Sequence, residues 1–438
     1  MALSASGHAP LPSAGAAPNP DSPAAETPAE AQQLDFGEID ELVEHAIAEG
    51  KTPGAVVVVG RHDRIVFQHA YGERAVLPAH HEMTLDTIFD LASLTKPLVT
   101  GTLAAWLIER GELRLSDTVS KYLPEFTGQS KETVTVEELL LHTSGLPPSN
   151  PLRDYRQGRQ RARARAIGSV LEAYPGRKFI YSDVGYIVLG MLIERVTGEP
   201  LDVTAGRVIW APLGMSDTQY CRTFCESSRI APTELASGRH TSPIRGEVQD
   251  PRAYLLGGVA GNAGVFSTGE DLSRFARMLL GQGELDGVRV LSAEAVRELT
   301  EPRPVPGGGL RSLGWDVSSH YSRARGVALS EQAFGHGGYT GTSIWIDPTQ
   351  DLFVIMLSNR NHPFGRGNVL SLQGTIADAA VHALHPLQRA SGGVSEGPSA
   401  VLGTPHEALG RLQLPSERAD PSTRSVGSRG SELRHGGG

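Results

Sequence analysis

Hydrophobic positions fall into a near-symmetrical order along the chain. Phe36, Ile39, Leu42, Val43, Ala46 and Ile47 recur at helical spacing before Gly50, which predicts a helix from Asp35 to Glu49. Two strand-like runs follow, Gly54 to Arg61 and Arg64 to Tyr71, with His62-Asp63 between them as the turn of a hairpin. Near the other end, Gly341 to Asp347 and Asp351 to Asn359 predict a second hairpin joined by Pro348-Thr349-Gln350. Val369 to Leu384 then reads as a closing helix. In between, the pattern from Leu113 to about Ile230 is one of helices and loops with few strand signals. Its clearest members are Val134 to Leu141 and the apolar run Val184 to Thr197, closed by Gly198. Asp271 to Leu280 is a further helix, behind the glycine-rich stretch Gly257 to Gly264, which reads as tight turns close to a site. The expected fold class is α+β: one antiparallel sheet formed by both chain ends and flanked by helices, with an all-helical subdomain inserted at about 113–230.

Residues 1–33 carry few large apolar groups, and 387–438 turn to Gly, Ser, Pro and scattered charge. Neither stretch buries enough surface to offset ordering entropy, so both are expected to be disordered, leaving one domain over 34–386. A net charge of −9 argues against nucleic acid as a partner. No apolar run is long enough for a membrane span. Met1 to Gln33 has no apolar core of the signal-peptide kind, so a cytoplasmic location is expected for the sequence as written, or a periplasmic or secreted one if an export signal precedes it. Cys221 and Cys225 form neither a disulfide framework nor a zinc site and are expected to be free, small hydrophobic side chains. His80-His81 lacks the spaced partners of a metal set. The six arginines at positions 153, 156, 159, 161, 163 and 165 read as a solvated helix face, with a basic rim for an anionic substrate as the other reading.

The candidate chemistry lies in Ser93-Leu94-Thr95-Lys96. The run from Ser93 to Arg110 reads as one buried helix, with Pro97 in its first turn, where a missing N–H costs little. Three positions apart on a helix puts the serine hydroxyl beside the lysine amine, and a helix N-terminus favours developing negative charge. A desolvated lysine activates serine by taking its proton. Of the five lysines only Lys96 has a serine three residues before it. The spacing alone fits equally well a serine N-cap with a solvated lysine. Two further stretches bear on this choice. Tyr181-Ser182-Asp183 precedes the Val184 helix, and an ammonium beside a phenol favours its phenolate form, fit for shuttling a proton. His336-Gly337-Gly338 leads into the strand at Gly341, with glycines that let backbone approach a ligand.

In that order, Ser93-x-x-Lys96, Tyr181-Ser182-Asp183 and His336-Gly337-Gly338 resemble the three motifs of the serine β-lactamase and penicillin-binding-protein superfamily. The class C-like branch is the most similar, and it includes D-alanyl-D-alanine peptidases and β-lactamase-like esterases. Leu139 to Leu146, Gly185-Tyr186 to Gly190 and Gly257 to Ser267 agree with it, and the likeness covers roughly residues 36–385. The resemblance implies an acyl-enzyme on Ser93, with Lys96 and Tyr181 sharing acid–base work and either one as the base. It implies an oxyanion hole from the backbone N–H groups of Ser93 and of Tyr339, on the strand after the third motif. Asp183, His336, Gly337 and Gly338 would contact substrate; no metal and no cofactor are implied. Two residues depart from the pattern. Asp183 stands where class C β-lactamases usually have Asn, and an added carboxylate favours the lysine ammonium, which makes Tyr181 the better base. His336 replaces a frequent lysine and is mostly neutral at pH 7. The expected activity is serine hydrolysis of amide bonds in D-amino-acid, cell-wall-type peptides or related β-lactams. A β-lactamase-like carboxylesterase and a penicillin-acylated sensor with little turnover are the alternatives.

Overall fold

A computed structural model describes residues 34–222, 224–235 and 242–385. The expectations for 1–33 and for 387–438 fall outside the described residues.

The main sheet takes its strands from both ends of the described chain. In chain order they are β1 (Gly54–Gly60), β2 (Ile65–Ala75), β3 (His81–Glu82), β4 (Arg303–Pro304), β5 (Leu310–Arg311), β6 (Asp316–Ser318), β7 (Phe334–Gly337), β8 (Ser343–Asp347) and β9 (Leu352–Ser358). In space they run β3-β2-β1-β9-β8-β7-β6-β5-β4, each pair antiparallel. The two predicted hairpins therefore meet at the centre, where Val57 pairs with Met356 and Val58 with Ile355. The turn of the first hairpin closes at His62-Asp63 with the Arg61 N–H donating to Arg64 O at 2.8 Å.

Strand β1 reads Gly-Ala-Val-Val-Val-Val-Gly without alternation because both of its faces are covered, and every residue in it is buried. Ala55, Val57 and Val59 pack with helices α1 (Gly37–Ala48) and α5 (Leu370–Leu384) through Ile39, Val43, Ile376 and Ala380. Val56 and Val58 face the larger core that contains α2 (Thr102–Glu109), α3 (Asp183–Thr197) and α4 (Gly269–Leu280). The layers are helices, sheet, helices.

Three expectations need correction. Strands β4 to β7 were not foreseen: β4, β5 and β6 are two or three residues long, too short for a period of two to register. The inserted segment is not all-helical: it also contributes the strand Gln219–Tyr220, which pairs with Val265–Ser267 in a small sheet also containing Phe89–Asp90. Cys221 and Cys225 are joined in a disulfide. They sit on irregular backbone after that short strand rather than on a helix, with Cα atoms 5.4 Å apart, inside the range a disulfide bridges. Intact-mass analysis with and without reductant, under a thiol-alkylating reagent, is expected to show two alkylation events only after reduction. Alkylation of the unreduced, unfolded chain would overturn the bridge.

Candidate active site

The segment carrying Ser93 is not the single α-helix its apolar pattern predicts. Ala92–Leu94 forms a 3-10 turn, Lys96–Gly101 a wide π-helical segment, and regular α2 begins only at Thr102. Pro97 has no N–H to give, and Thr102 Oγ1 donates to its carbonyl at 3.0 Å. Such π-segments concentrate at functional sites. Ala92 has φ +47°, a left-handed conformation that a side-chain-bearing residue enters at a cost. The buried carboxylate of Asp90 holds that turn: Oδ1 accepts the Ala92 N–H at 2.8 Å and Oδ2 the Gln249 N–H at 2.7 Å. Burial pushes the Asp90 carboxyl up to about 7, against the pull of those two N–H donors.

The spacing argument for the pair survives this change of helix type. Lys96 is fully buried, and its Nζ donates to Ser93 Oγ at 2.9 Å and to Asn262 O at 3.1 Å. Asp183 Oδ1 lies 2.7 Å from the same nitrogen. Asp183 has this freedom because Ser182 caps the helix, its Oγ accepting the Gly185 N–H at 2.9 Å. Burial alone lowers the lysine pKa, but Asp183 and Tyr181 outweigh it and push Lys96 up to about 12. A lysine in that setting is an ammonium at neutral pH.

Lys96 Nζ lies 4.9 Å from the centre of the Tyr181 ring. That ring is packed among others: His142 at 4.4 Å, Tyr321 at 5.0 Å and His336 at 5.9 Å between centroids. His336 and Gly337 of the third motif are on strand β7 itself, so His336 does not merely lead into a strand. Its Nδ1 hydrogen-bonds Gly337 O at 2.8 Å, which makes Nδ1 the donor and leaves Nε2 as an acceptor. Burial, with the charges of Arg311 and Lys96, holds His336 well below the usual histidine range, so it is neutral.

Tyr339 lies in the turn between β7 and β8, not on a strand. The turn is tied to the nucleophile segment by Thr340 Oγ1 donating to Asp90 O at 2.7 Å and Thr342 Oγ1 donating to Leu91 O at 3.1 Å. Gly338 makes that approach possible, since a Cβ there would fall 2.5 Å from Leu91 O. Nothing approaches a Cβ at Gly337 closer than Thr342 O at 4.0 Å.

Ser93, Lys96, Tyr181, Asp183 and His336 thus come from three distant parts of the chain into one cluster, with Tyr339 on its rim at 52% exposure. The glycine-rich stretch supports it: Thr100 Oγ1 donates to Gly261 O at 2.7 Å, and Gly261 packs against Gly190 of α3. Five of the six arginines do face solvent, and the half-buried Arg163 pairs with Glu194 at 2.7 Å. Asn262, His142, Asp90 and Tyr321 were not singled out from sequence. Asn262 acts through its backbone carbonyl, which no residue type announces. His142 stood only inside a flanking phrase, yet its Nδ1 accepts the Ser182 N–H at 3.0 Å and so fixes the start of α3.

The chain belongs to the Beta-lactamase family, whose model matches residues 39–375. It is 32% identical over 358 residues to the N-acetylmuramyl-L-alanine amidase of Bacillus subtilis (strain 168), covering 74% of this chain and 80% of that one. It is equally 32% identical, over 345 residues, to a putative D-alanyl-D-alanine carboxypeptidase of Escherichia coli (strain K12), covering 71% and 79%. Among solved structures, EstCE1, a hydrolase with promiscuous acyltransferase activity, shares the fold with a TM-score of 0.63 at 24% identity, over 79% of this chain and 98% of that chain. The protein is therefore an enzyme, a serine hydrolase related to β-lactamases. Among the described residues no helix is long and apolar enough to cross a membrane.

Proposed function

We propose that the protein hydrolyses amide bonds of D-amino-acid, cell-wall-type peptides through an acyl-enzyme on Ser93. The observation that carries this is the contact of Ser93 Oγ with the buried Lys96 ammonium, beside the Tyr181 ring. Tyr181, as phenolate, takes the Ser93 proton as Oγ attacks the carbonyl carbon, and then delivers it to the leaving nitrogen. Lys96 serves as a fixed positive charge that favours the phenolate. The oxyanion is met by the backbone N–H groups of Ser93 and Tyr339. Water then attacks the acyl-enzyme by the same proton route in reverse. The two curated relatives, named an amidase and a carboxypeptidase, support an amide substrate.

A carboxylesterase is the second reading, favoured by one observation. His336, held neutral, offers no charge to a substrate carboxylate where related sites often place a lysine. The test is intact-mass measurement after exposure to a fluorescent penicillin, an activated ester and a D-alanyl peptide, each with turnover followed in parallel. Turnover of the peptide is expected. Turnover of the ester alone would select the second reading, a persistent adduct without turnover a sensor, and no adduct on Ser93 with any of them would reject the acyl-enzyme.

The role of Asp183 is open to a pH test. Its carboxylate raises the Lys96 pKa, so the ammonium persists until the pH climbs to about 12. In Asp183→Asn the lysine loses its proton at lower pH, and the alkaline limb of kcat/KM is expected to move down the pH scale. An alkaline limb identical to that of the unmodified enzyme would count against Lys96 as a fixed charge. We also infer from the Cys221–Cys225 disulfide that the protein works in an oxidising compartment, which favours the periplasmic or secreted reading of the N-terminal sequence over the cytoplasmic one.

A further inference from the structure

Tyr321 lies outside every motif, on a short segment that follows strand β6 and ends in the 3-10 turn Ser322–Ala324. The segment is rooted in the sheet by the buried carboxylate of Asp316. Its Oδ1 accepts from Ser319 Oγ at 2.7 Å and from Arg311 Nη1 at 3.2 Å, while Oδ2 accepts from Ser322 Oγ at 2.7 Å. The Tyr321 N–H donates to Ser319 Oγ at 3.1 Å. Arg311 is fully buried, with its guanidinium 5.5 Å from the centre of the Phe179 ring. A buried ion pair and two serine hydroxyls hold this six-residue surface segment in place. What they position is the ring of Tyr321.

That ring stacks on Tyr181, with centroids 5.0 Å apart and planes 27° from parallel. It also meets Phe179 edge-on at 5.8 Å and 90°. His142 flanks the Tyr181 ring at 4.4 Å. A tyrosine that transfers protons needs its oxygen in a fixed direction, and because that oxygen lies on the Cβ–Cγ axis, only rotation about Cα–Cβ swings it. Rings packed against its faces limit that swing.

From this geometry we infer that Tyr321 is a positioning residue. Its ring, anchored through Asp316 and Arg311, clamps the Tyr181 ring beside Lys96 in the orientation that proton transfer requires. This rests on the proposed acid–base role of Tyr181, and Tyr181→Phe is therefore the control. Tyr321 is 38% exposed, so truncating it leaves the core intact. Tyr321→Phe keeps the stacking surface and is expected to hold kcat and KM within about 3-fold, whereas Tyr321→Ala is expected to lower kcat about 10-fold, the worth of one aromatic stack, at little-changed KM. The pH–rate profile of Tyr321→Ala should shift as well, because a loosened Tyr181 no longer stays beside the ammonium. A purely structural loss would change the melting temperature and leave that profile in place. The inference is overturned if Tyr321→Ala retains full kcat while Tyr181→Phe is inactive. It is overturned equally if Tyr321→Phe is as impaired as Tyr321→Ala, or if only KM changes. Unimpaired Tyr181→Phe would instead remove the reading of Tyr181 itself.

Discussion

Ser93→Ala is expected to lower hydrolysis about 10^4-fold or more while leaving thermal stability unchanged, as for loss of a nucleophile whose neighbours act with it as one unit. Two features of the site make the expectation sharp. The hydroxyl is the only group removed, and the Lys96 contacts with Asp183 and Asn262 O survive without it, so no buried charge is orphaned. The strained turn at Ala92 is held by Asp90 rather than by the serine side chain, so the backbone that presents position 93 persists. Intact-mass measurement should show no adduct with penicillin or activated ester, and initial rates should fall to background. Unchanged hydrolysis with this variant would end the acyl-enzyme account.

Lys96→Met is expected to be nearly as inactive, down by about 10^3-fold or more, and for a different reason. Methionine fills much of the lysine's volume but carries no charge, so packing is largely kept while the positive charge beside the Tyr181 ring is lost. Here stability should fall too. Asp183, whose side chain is 28% exposed, loses its cation, and Asn262 O loses a donor. The cost should be about 1–3 kcal/mol, in the range for stranding partly buried polar groups. The double variant Lys96→Met, Asp183→Asn separates the two effects. It is expected to recover much of the stability, since no unpaired carboxylate remains, and none of the activity. Recovery of activity in the double variant would show that the lysine charge matters only to folding. The sign of the pH dependence follows from the same pair. Lys96 is raised above its usual pKa, so the pair's stabilisation is complete below about 10.5 and is lost as the pH rises toward about 12.

Local pattern carried much of this structure. The helix at Gly37–Ala48, the hairpins around His62-Asp63 and Pro348-Thr349-Gln350, and the helices at Asp183–Thr197 and Leu370–Leu384 were legible because each has a clear period and a clear stop. Strands β4 to β6 were not, because two or three residues hold no period; they exist through pairing with a neighbour already in place. The Ser93 helix was legible as apolar and buried but not as a 3-10 turn followed by a π-segment, since the hydrogen-bonding pattern depends on Pro97 and on partners far along the chain. The disulfide was missed because two cysteines four positions apart carry no pairing signal of their own, and only the fold sets their Cα atoms 5.4 Å apart.

By itself, then, the sequence singled out the candidate residues: a serine three positions before a lysine, a tyrosine before a capped helix, and a histidine followed by two glycines. Those depend on residue type and short spacing, which the chain writes directly. Tertiary structure decided how they are charged and held. Only the fold sets the Asp183 carboxylate 2.7 Å from the buried Lys96 Nζ and so keeps that nitrogen an ammonium against the cost of burial. Only the fold brings Asn262, His142 and Tyr321 around the site, because contacts between positions so far apart in the chain leave no mark in the local pattern.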